Sequence, residues 1–311
     1  MWKITISTLI RMKKFLLLAT VATVIAGGCK KPGPEPEPDP EPPVPELLPI
    51  RLSTNIGTKA TDSGFENGDK VGIYTVNYDG NTAGTLSDSG NHLDNIGFTL
   101  NGDEWKADKE VYWLDQTTPA DFYCYYPYVK EVSDITALRF SVKEDQSALA
   151  DYKASELLWG KAEGAKPSAD PVKITVNHAL SNMIIYLTPG SGYTEETLAA
   201  EKPTVEITGV KTGAKINLST GEVTAEGNPK NIKPYKESNY WRALVVPQDI
   251  IGTQLIKVTV GSDTYTLNQT VTFESNKQHK CTLKVNRIEE GVNIGIGGWE
   301  SSDTDFGGTL K

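Results

Sequence analysis

The chain has 311 residues, which corresponds to two folded domains at a soft average of about 150 residues per domain. Its 31 Lys and Arg residues are outnumbered by 40 Asp and Glu residues, for a formal net charge of −9 at pH 7. This balance argues against nucleic acid as a partner, because such binding relies on bulk positive charge. Three Cys residues are too few for a disulfide scaffold.

Residues 1–28 have the pattern of an export signal. The true start is Met1 or, as we suspect, Met12, after which two Lys residues precede an apolar run over 15–25. A basic start, a short apolar run and small residues before a cut are typical of a secretory signal, and the run is too short to span a bilayer. The small residues before Cys29 resemble the lipobox of bacterial lipoproteins, which implies that Cys29 carries lipid and holds the protein at a membrane. The alternative is an ordinary signal peptide followed by an unmodified Cys.

Residues 29–49 form an acidic, Pro-rich linker that contains nine of the 18 Pro residues of the chain. Alternating Pro and acidic residues cannot pack a core and favour the extended polyproline II conformation. At about 3.1 Å per residue, this linker reaches roughly 60 Å. We therefore expect a stalk between the lipidated Cys and the folded part.

From Ile50 onward, short alternating apolar runs separated by Gly, Asn, Asp and Pro predict an all-β protein. The first series of predicted strands lies at residues 50–56, 71–76, 98–100, 105–107, 122–126 and 138–142. The second series lies at residues 172–176, 182–187, 204–210, 215–218, 242–246, 255–260, 264–267 and 281–285. A helical pattern occurs mainly at 195–201. This spacing favours two β-sandwiches, 50–170 and 171–311, with the boundary in the polar stretch 163–171.

The chain shows no catalytic or metal-binding pattern, so we expect a protein that is not an enzyme and needs no cofactor. His92, His178 and His279 do not have the spacing of metal ligands, and there is no nucleophile elbow, phosphate-binding loop or CxxC pair. Cys124 and Cys281 alternate with aromatic or apolar residues, which is typical of buried small side chains. Acidic residues are plentiful, but no carboxylate pair stands out for a surface hydrolase, which is the least favoured alternative.

Eight aromatic residues cluster between positions 105 and 128, and they allow two interpretations. One is a strand core with cross-strand aromatic pairs. The other is a platform on which sugar rings stack. Because side chains alternate between the two faces of a strand, one set of these aromatic residues can face outward. The candidates for such a glycan-stacking platform are Trp105, Trp113, Tyr123 and Tyr125.

Four segments, taken together, carry a resemblance to a known family. They are Cys29 with its acidic linker, NGDKVGIY at 67–74, ADFYCYYPY at 120–128 and NHALSNMII at 177–185. Weaker similarities follow at 214–221 and 245–248. In this order the segments resemble the fimbrillins, the lipoprotein precursors of type V pili in anaerobic gut and oral bacteria. The resemblance spans most of the chain and is to the family rather than to one member.

The resemblance implies two tandem transthyretin-like β-sandwiches and a lipoprotein at the cell outer membrane, exposed on the surface as part of a fimbrium that supports adhesion. It also implies that a surface protease cuts after a basic residue near the first strand. The removal of that strand opens a groove, which the C-terminal strand of another subunit fills. The implied partners are other pilus subunits, in a homopolymer or heteropolymer, and a host protein or glycan.

The first predicted strand suits removal by proteolysis. Ile50, Leu52 and Ile56 lie on one face of it, as expected for a strand with one buried side. Arg51 lies within the strand and Lys59 follows it, so both are candidate cleavage sites. The alternative for Arg51 is an ordinary solvent-facing side chain.

The C-terminal tail over 290–311 is the candidate donor strand. Val292, Ile294 and Ile296 alternate with polar or Gly residues, as in a strand with one apolar face. The alternative is that the tail is the last strand of its own domain. Stalk, tip, anchor and accessory subunits of a fimbrium all remain open, and so does a surface glycan-binding lipoprotein.

Overall fold

The computed structural model describes residues 47–56, 64–288 and 291–305. In the last of these ranges Ile294 is the one residue whose side chain is described. The predicted signal peptide, Cys29 and Lys59 lie outside the described residues. All described residues belong to one compact unit that covers 46–311.

Strands make up most of the described chain, so the predicted all-β class is confirmed. The strands of the seven-stranded sheet are β1 (Leu52–Ile56), β2 (Lys70–Asn77), β3 (Leu93–Asn101), β4 (Glu104–Ala107), β5 (Ala120–Tyr126), β7 (Leu158–Ala165) and β8 (Val172–His178). The other strands are β6 (Leu138–Ser141), β9 (Ser181–Pro189), β10 (Thr204–Ile216), β11 (Val223–Ile232), β12 (Tyr235–Lys236), β13 (Tyr240–Val245), β14 (Gln248–Val260), β15 (Asp263–Phe273), β16 (Lys277–Ile288) and β17 (Gly291–Asp305).

Two short helices interrupt the strands, α1 (Leu149–Ala154) and α2 (Glu195–Ala200). The second confirms the one helical pattern that the sequence shows. Thr194 caps α2, because its side chain accepts a hydrogen bond from the backbone N–H of Thr197. Across the described residues, neither helix has the length or the apolar composition that crossing a membrane requires.

The seven-stranded sheet has the order β1-β8-β7-β5-β2-β3-β4. All neighbours in it are antiparallel except β1 and β8, which run parallel. The two end strands, β1 and β4, also contact each other, so the sheet curls toward closure. β2 and β5 lie at its centre and are buried on both faces, which explains their nearly continuous apolar sequences.

Two five-stranded sheets pack face to face in the second half of the chain and form a β-sandwich. One contains β11-β10-β14-β15, with β6 paired to β10, and the other has the order β12-β13-β9-β16-β17. Ile207 and Val258 from the first sheet meet Ile185 and Leu283 from the second in one apolar core. All four side chains are fully buried, as expected for the interior of a sandwich.

The change from the first sheet to the sandwich falls at residues 178–181. β8 lies beyond residue 170 but pairs with β7 and β1, whereas β9 pairs with β13 and β16. The larger apolar core joins the two regions, since Tyr74 and Tyr125 from the first sheet belong to the same cluster as Leu283. The division into domains 50–170 and 171–311 stays a prediction.

Candidate functional site

The first strand is held at the edge of its sheet by alternating side chains. Ile50 and Leu52 are 5% and 6% exposed, while Arg51 and Ser53 between and after them are exposed. Ile50 and Leu52 belong to a core cluster that also contains Trp113. The strand therefore contributes one apolar face to a core and one polar face to solvent, as the sequence predicts.

The backbone around this strand is paired to two different segments. β1 pairs with β8 from Leu52 opposite Val172 to Ile56 opposite Val176. Just before β1, the N–H of Ile50 donates to the carbonyl of Val111 at 3.0 Å, and the N–H of Trp113 donates to the carbonyl of Leu48 at 2.9 Å. Residues 48–56 thus sit in a slot with backbone partners and an apolar floor.

Arg51, one of the two candidate cleavage sites, lies inside this slot. Its side chain is exposed, but its carbonyl accepts a hydrogen bond from the N–H of Val172 at 2.9 Å. The peptide group at Arg51 is therefore part of the sheet. Lys59, the other candidate, lies outside the described residues.

The C-terminal candidate strand is the outermost strand of the second sandwich sheet. β17 pairs antiparallel with β16, and the predicted donor residues Val292, Ile294 and Ile296 stand opposite Arg287, Val285 and Leu283. Ile294 is half-buried and packs against the sandwich core. The sheet order gives β17 a single hydrogen-bonded strand partner among the described residues, and β15 of the facing sheet also contacts it. In this arrangement the tail is the last strand of its own sheet.

The predicted glycan-stacking platform is wrong for three of its four residues. Trp113, Tyr123 and Tyr125 are 3%, 6% and 1% exposed, so a sugar ring cannot stack on them. Tyr125 is fixed further by a hydrogen bond from its hydroxyl to Asn95 Oδ1 at 2.8 Å. Each of these side chains is buried because the sheet carries apolar packing on both faces. Trp105 is half-buried.

Trp105 meets another aromatic side chain rather than open solvent. The ring of Phe65 lies edge-on to it, with centroids 5.1 Å apart. Such a T-shaped pair is a favourable aromatic packing arrangement. The interpretation of this region as strand core is therefore the one that the structure supports.

The Cys and His residues that the sequence places in strands are structural. Cys124 and Cys281 are buried and free, and burial raises the pKa of the Cys281 thiol to about 12. The pKa of the Cys124 thiol is also raised by burial. His178 is buried with its Nδ1 2.9 Å from Oε1 of Glu156, which forms an internal polar contact. Within the described ranges, no group of three acidic, His or Cys side chains could hold a metal ion.

Sequence reasoning missed a pocket of about 320 Å³ beside α2. Tyr186 on β9 and Trp241 on β13 line it, together with Ser238 and Asn239 on the turn between β12 and β13. A sequence signal exists, because Ser238 and Asn239 directly precede two aromatic residues. Tyr186 lies next to these residues only because β13 pairs with β9, and the sequence does not indicate this pairing.

Comparison with known proteins identifies the class to which this fold and these edge strands belong. Residues 58–299 match the family model described as fimbrillin-like. Because this match covers well over half of the chain, the chain belongs to the fimbrillin-like family. The resemblance that the four sequence segments carry is confirmed.

One curated protein and two solved structures are similar to this chain over most of its length. A Bacteroides uniformis protein named "Putative fimbrium subunit Fim1C" is 24% identical over 301 residues, which are 92% of this chain and 95% of the relative. A "putative cell adhesion protein" from B. uniformis ATCC 8492 has a crystal structure with a TM-score of 0.63 at 21% identity, covering 82% of this chain and 97% of that one. Another from B. ovatus ATCC 8483 has a TM-score of 0.63 at 15% identity, covering 85% of this chain and 100% of that one. The two crystal structures show the same fold.

Proposed function

We propose that this chain is a fimbrial subunit precursor that is exported as a lipoprotein through Cys29, cut near its first strand and polymerised by donor-strand exchange. Its role is structural and adhesive rather than catalytic. The observation that carries the proposal is the first strand, a short edge strand whose inward side chains fill a core. The family match, which concerns fimbrial subunits, supports it independently.

Removal of residues 48–56 would expose an apolar trough. Trp113 and Ile174, which share a core cluster with Ile50 and Leu52, would lose part of their cover. The backbone groups of β8 that pair with β1 would lose their partners at the same time. An open sheet edge beside an apolar floor is the arrangement that an added strand satisfies.

The C-terminal strand β17 has the pattern that such a slot accepts. The predicted donor residues recur at every second position, as do the inward residues of the first strand. In the precursor β17 is bound along one edge, by β16 alone among the described strands. We propose that in the fimbrium this strand leaves β16 and fills the slot of a neighbouring subunit, at the cell surface.

The two candidate cleavage sites have different consequences. A cut after Arg51 would leave Leu52–Ile56, the whole of β1, attached to the rest of the chain. A cut after Lys59 would separate β1 from everything that follows. Because Arg51 also has its carbonyl in the sheet, and proteases bind extended chain with free backbone groups, we propose Lys59 as the activating site.

Limited trypsin digestion of the protein from Lys30 onward tests whether Lys59 is the activating cleavage site. We expect the wild-type protein and Arg51→Ala to give a new N-terminus at Ala60, followed by SDS-resistant multimers on unboiled gels. Lys59→Ala should give neither, apart from trimming of the linker. Polymerisation of Lys59→Ala with a new N-terminus at Leu52 would contradict the choice of Lys59 but not the exchange mechanism.

Truncation of the tail tests the donor role. Deletion of 290–311 removes β17 and should leave secretion intact but stop polymerisation. The matched control is deletion of 306–311, which leaves Gly291–Asp305 in place and should still polymerise. Normal polymers from the longer deletion would exclude the tail as the donor.

A further inference from the structure

The strand β15 forms one edge of the first sandwich sheet, and its outer side has no hydrogen-bonded strand partner among the described residues. β17 of the facing sheet contacts β15 without pairing to it. β15 is 11 residues long, and both register shifts between β14 and β15 place the extra residue in β14, so β15 itself is regular. Its unpaired side is therefore a regular row of backbone N–H and C=O groups, which is a template for pairing with another strand.

The sequence of β15 lacks the features that protect exposed sheet edges in natural proteins. Residues 264–273 contain no charged residue, no Pro and no Gly. The opposite edge of the same sheet is β11, whose sequence includes Pro229 and Lys230. Both residue types oppose the addition of a further strand, Pro because it has no N–H to donate and Lys because of its charge. One edge of this sheet is thus protected and the other is open to pairing.

The exposed face of β15 has the same order of residue types in both chain directions. Its side chains, all exposed, are Thr264, Thr266, Asn268, Thr270 and Thr272. Asn268 is the midpoint of the strand, which spans Asp263–Phe273. If a second copy pairs antiparallel about this midpoint, Asn lies opposite Asn and Thr opposite Thr along the whole face, and cross-strand Thr pairs are favourable. A two-fold interface requires a surface that complements itself, and this face meets that requirement.

The inward face of β15 is incompletely covered in the isolated subunit. Tyr265 and Leu267 pack against the sandwich core but are only half-buried. The amide nitrogen of Gln269 is buried without a hydrogen-bond partner in the part of the chain that the structure describes. In an antiparallel pair centred on Asn268, Leu267 lies opposite Gln269 of the second copy, and the two Gln269 side chains lie diagonally across the pair, at a spacing that long side chains span. A second strand would therefore cover side chains that this edge leaves partly open.

Charged groups near the edge do not oppose this pairing. The charged residues of the neighbouring strand β14 are Asp249 and Lys257, and both are engaged within their own chain. The hydroxyl of Thr272 donates to Asp249 Oδ1 at 2.8 Å, and Lys257 Nζ lies 3.0 Å from Glu206 Oε2. Because residues 264–273 are neutral, two copies of β15 can pair without bringing like charges together.

We propose that β15 pairs antiparallel with β15 of a second copy of this chain, with Asn268 at the two-fold axis. The pairing joins the sheet that contains β15 in one copy to the same sheet in the other. One strand from each copy makes a contact smaller than the about 1,200–2,000 Å² of stable interfaces, so we expect a dissociation constant of about 0.1–1 mM.

This affinity determines where the pairing acts. A dilute precursor is monomeric, whereas subunits arrayed along two fimbriae engage many such contacts at once and hold the fimbriae side by side. The pairing itself does not depend on donor-strand exchange. Only its consequence for fimbriae rests on the proposed function.

Engineered disulfides test the register on the uncleaved protein from Lys30 onward. Residues directly opposite each other in an antiparallel pair have Cα atoms about 4.5–5.5 Å apart, which a disulfide can span. Asn268→Cys should therefore crosslink to its own copy under mild air oxidation. Thr264→Cys and Thr272→Cys should not crosslink alone, because each lies about 27 Å along the strand from its own copy, but a mixture of the two should give the mixed dimer. The native Cys residues within the described ranges are buried and do not interfere. Equal crosslinking of the three single variants, or none in Asn268→Cys, overturns the proposal.

Analytical ultracentrifugation measures the association without a crosslink. At about 0.5 mM, within the expected range of the dissociation constant, the wild-type protein should sediment as a mixture of monomer and dimer. Asn268→Lys should sediment as a monomer, because it places two ammonium groups opposite each other at the two-fold axis. The matched control Asn228→Lys adds the same charge at an exposed position of β11 and should keep the dimer. A wild-type monomer at this concentration overturns the proposal, and so does a dimer that survives Asn268→Lys, since the contact then lies elsewhere.

Electron microscopy of the polymers formed after trypsin cleavage tests the consequence for fimbriae. Wild-type polymers should lie side by side, and Asn268→Lys polymers should be single. Asn268→Lys polymers that still lie side by side would overturn the role of β15 between fimbriae. Failure of both proteins to polymerise would count against donor-strand exchange, while the crosslinking and sedimentation results on uncleaved protein would still decide whether β15 pairs with itself.

Discussion

A substitution of Leu52 measures how strongly the protein binds its first strand. This side chain is 6% exposed, and it packs in the core cluster with Trp113 and Ile174. Leu→Ala changes at buried sites cost about 2–5 kcal/mol, and we take about 3 kcal/mol for a strand at the edge of a sheet. At about 2–4 °C per kcal/mol for a domain of this size, Leu52→Ala should lower the melting temperature by about 6–12 °C.

Leu52→Ala should also weaken the noncovalent binding of the first strand to the rest of the protein after cleavage. A loss of about 3 kcal/mol corresponds to about a hundredfold weaker binding of the cut strand. Thermal unfolding of the precursor and gel filtration after trypsin treatment measure the two effects. Ser53→Ala is the matched control, since Ser53 is the exposed neighbour on the same strand, and it should change neither. If Leu52→Ala and Ser53→Ala behave alike, the first strand does not fill a core and the slot model fails.

Three other experiments test the packing. Gly160→Ala should cost about 3 kcal/mol because a Cβ there would lie 2.8 Å from the Cα of Val176, whereas Gly64→Ala, with open space around it, should be neutral in a denaturant titration. Burial lowers the pKa of His279, so at acidic pH the unfolded chain takes up more protons than the folded one. The free energy of unfolding should therefore fall as the pH drops below about 6.5, the usual pKa of His. Melting curves should show a smaller fall for His279→Phe. Cys124 and Cys281 should react with a thiol reagent at pH 8 only after unfolding, because burial raises both pKa values; fast reaction of the native protein would refute this.

Local pattern was enough to predict most strands. Asn101 ends β3 and pairs with Glu104, so the hairpin of β3 and β4 turns at Gly102 and Asp103; Gly102 has φ +64°, the left-handed conformation that a Gly at the first turn position favours. The central strands β2 and β5 follow equally from apolar and aromatic runs. In these places propensity, alternation and turn chemistry all agree.

Strands that depend on distant partners could not be predicted from local pattern. The sequence predicts no strand over β7, because Gly160, Lys161 and Glu163 give it a polar character and its last three residues lie in the stretch 163–171 that the sequence favours as a domain boundary. It is a strand because β5 and β8 enclose it and Lys161 pairs with the buried Asp121 at 3.0 Å. Its Gly lets the backbone of β8 approach closely.

β10 shows the same limit in another form. The sequence predicts two strands, 204–210 and 215–218, but the structure has one strand over Thr204–Ile216. Register shifts between Ile207 and Val210 and between Lys211 and Gly213 carry the strand through the polar middle, where Gly209 has φ +71°. The partner strands of β10 keep this irregular section in the sheet, and the sequence of β10 itself does not indicate that pairing.

The candidate sites divide in the same way. The sequence predicts the alternation of buried and exposed residues in the first strand. It does not predict the parallel pairing of this strand with β8 or the hydrogen bonds between residues 48–50 and 111–113. The aromatic cluster was visible in the sequence, but its burial on both faces of one sheet was not. The pocket at Tyr186 and Trp241 depends on pairing between β9 and β13, which are far apart in the chain.

The two edge strands are held in different ways, and this difference sets the proposed order of events. The first strand is held by pairing with β8, by hydrogen bonds to residues 111–113 and by its own buried Ile50 and Leu52, so in the proposed mechanism it leaves only after a covalent cut weakens its attachment. β17 is paired along one edge, over the whole length from Gly291 opposite Ile288 to Asp305 opposite Lys277, so its release in the proposed mechanism requires that the slot of a neighbouring subunit replace those contacts. In the proposed mechanism the closed slot keeps the precursor monomeric until the protease acts, because a tail that leaves β16 before then has no open slot to enter.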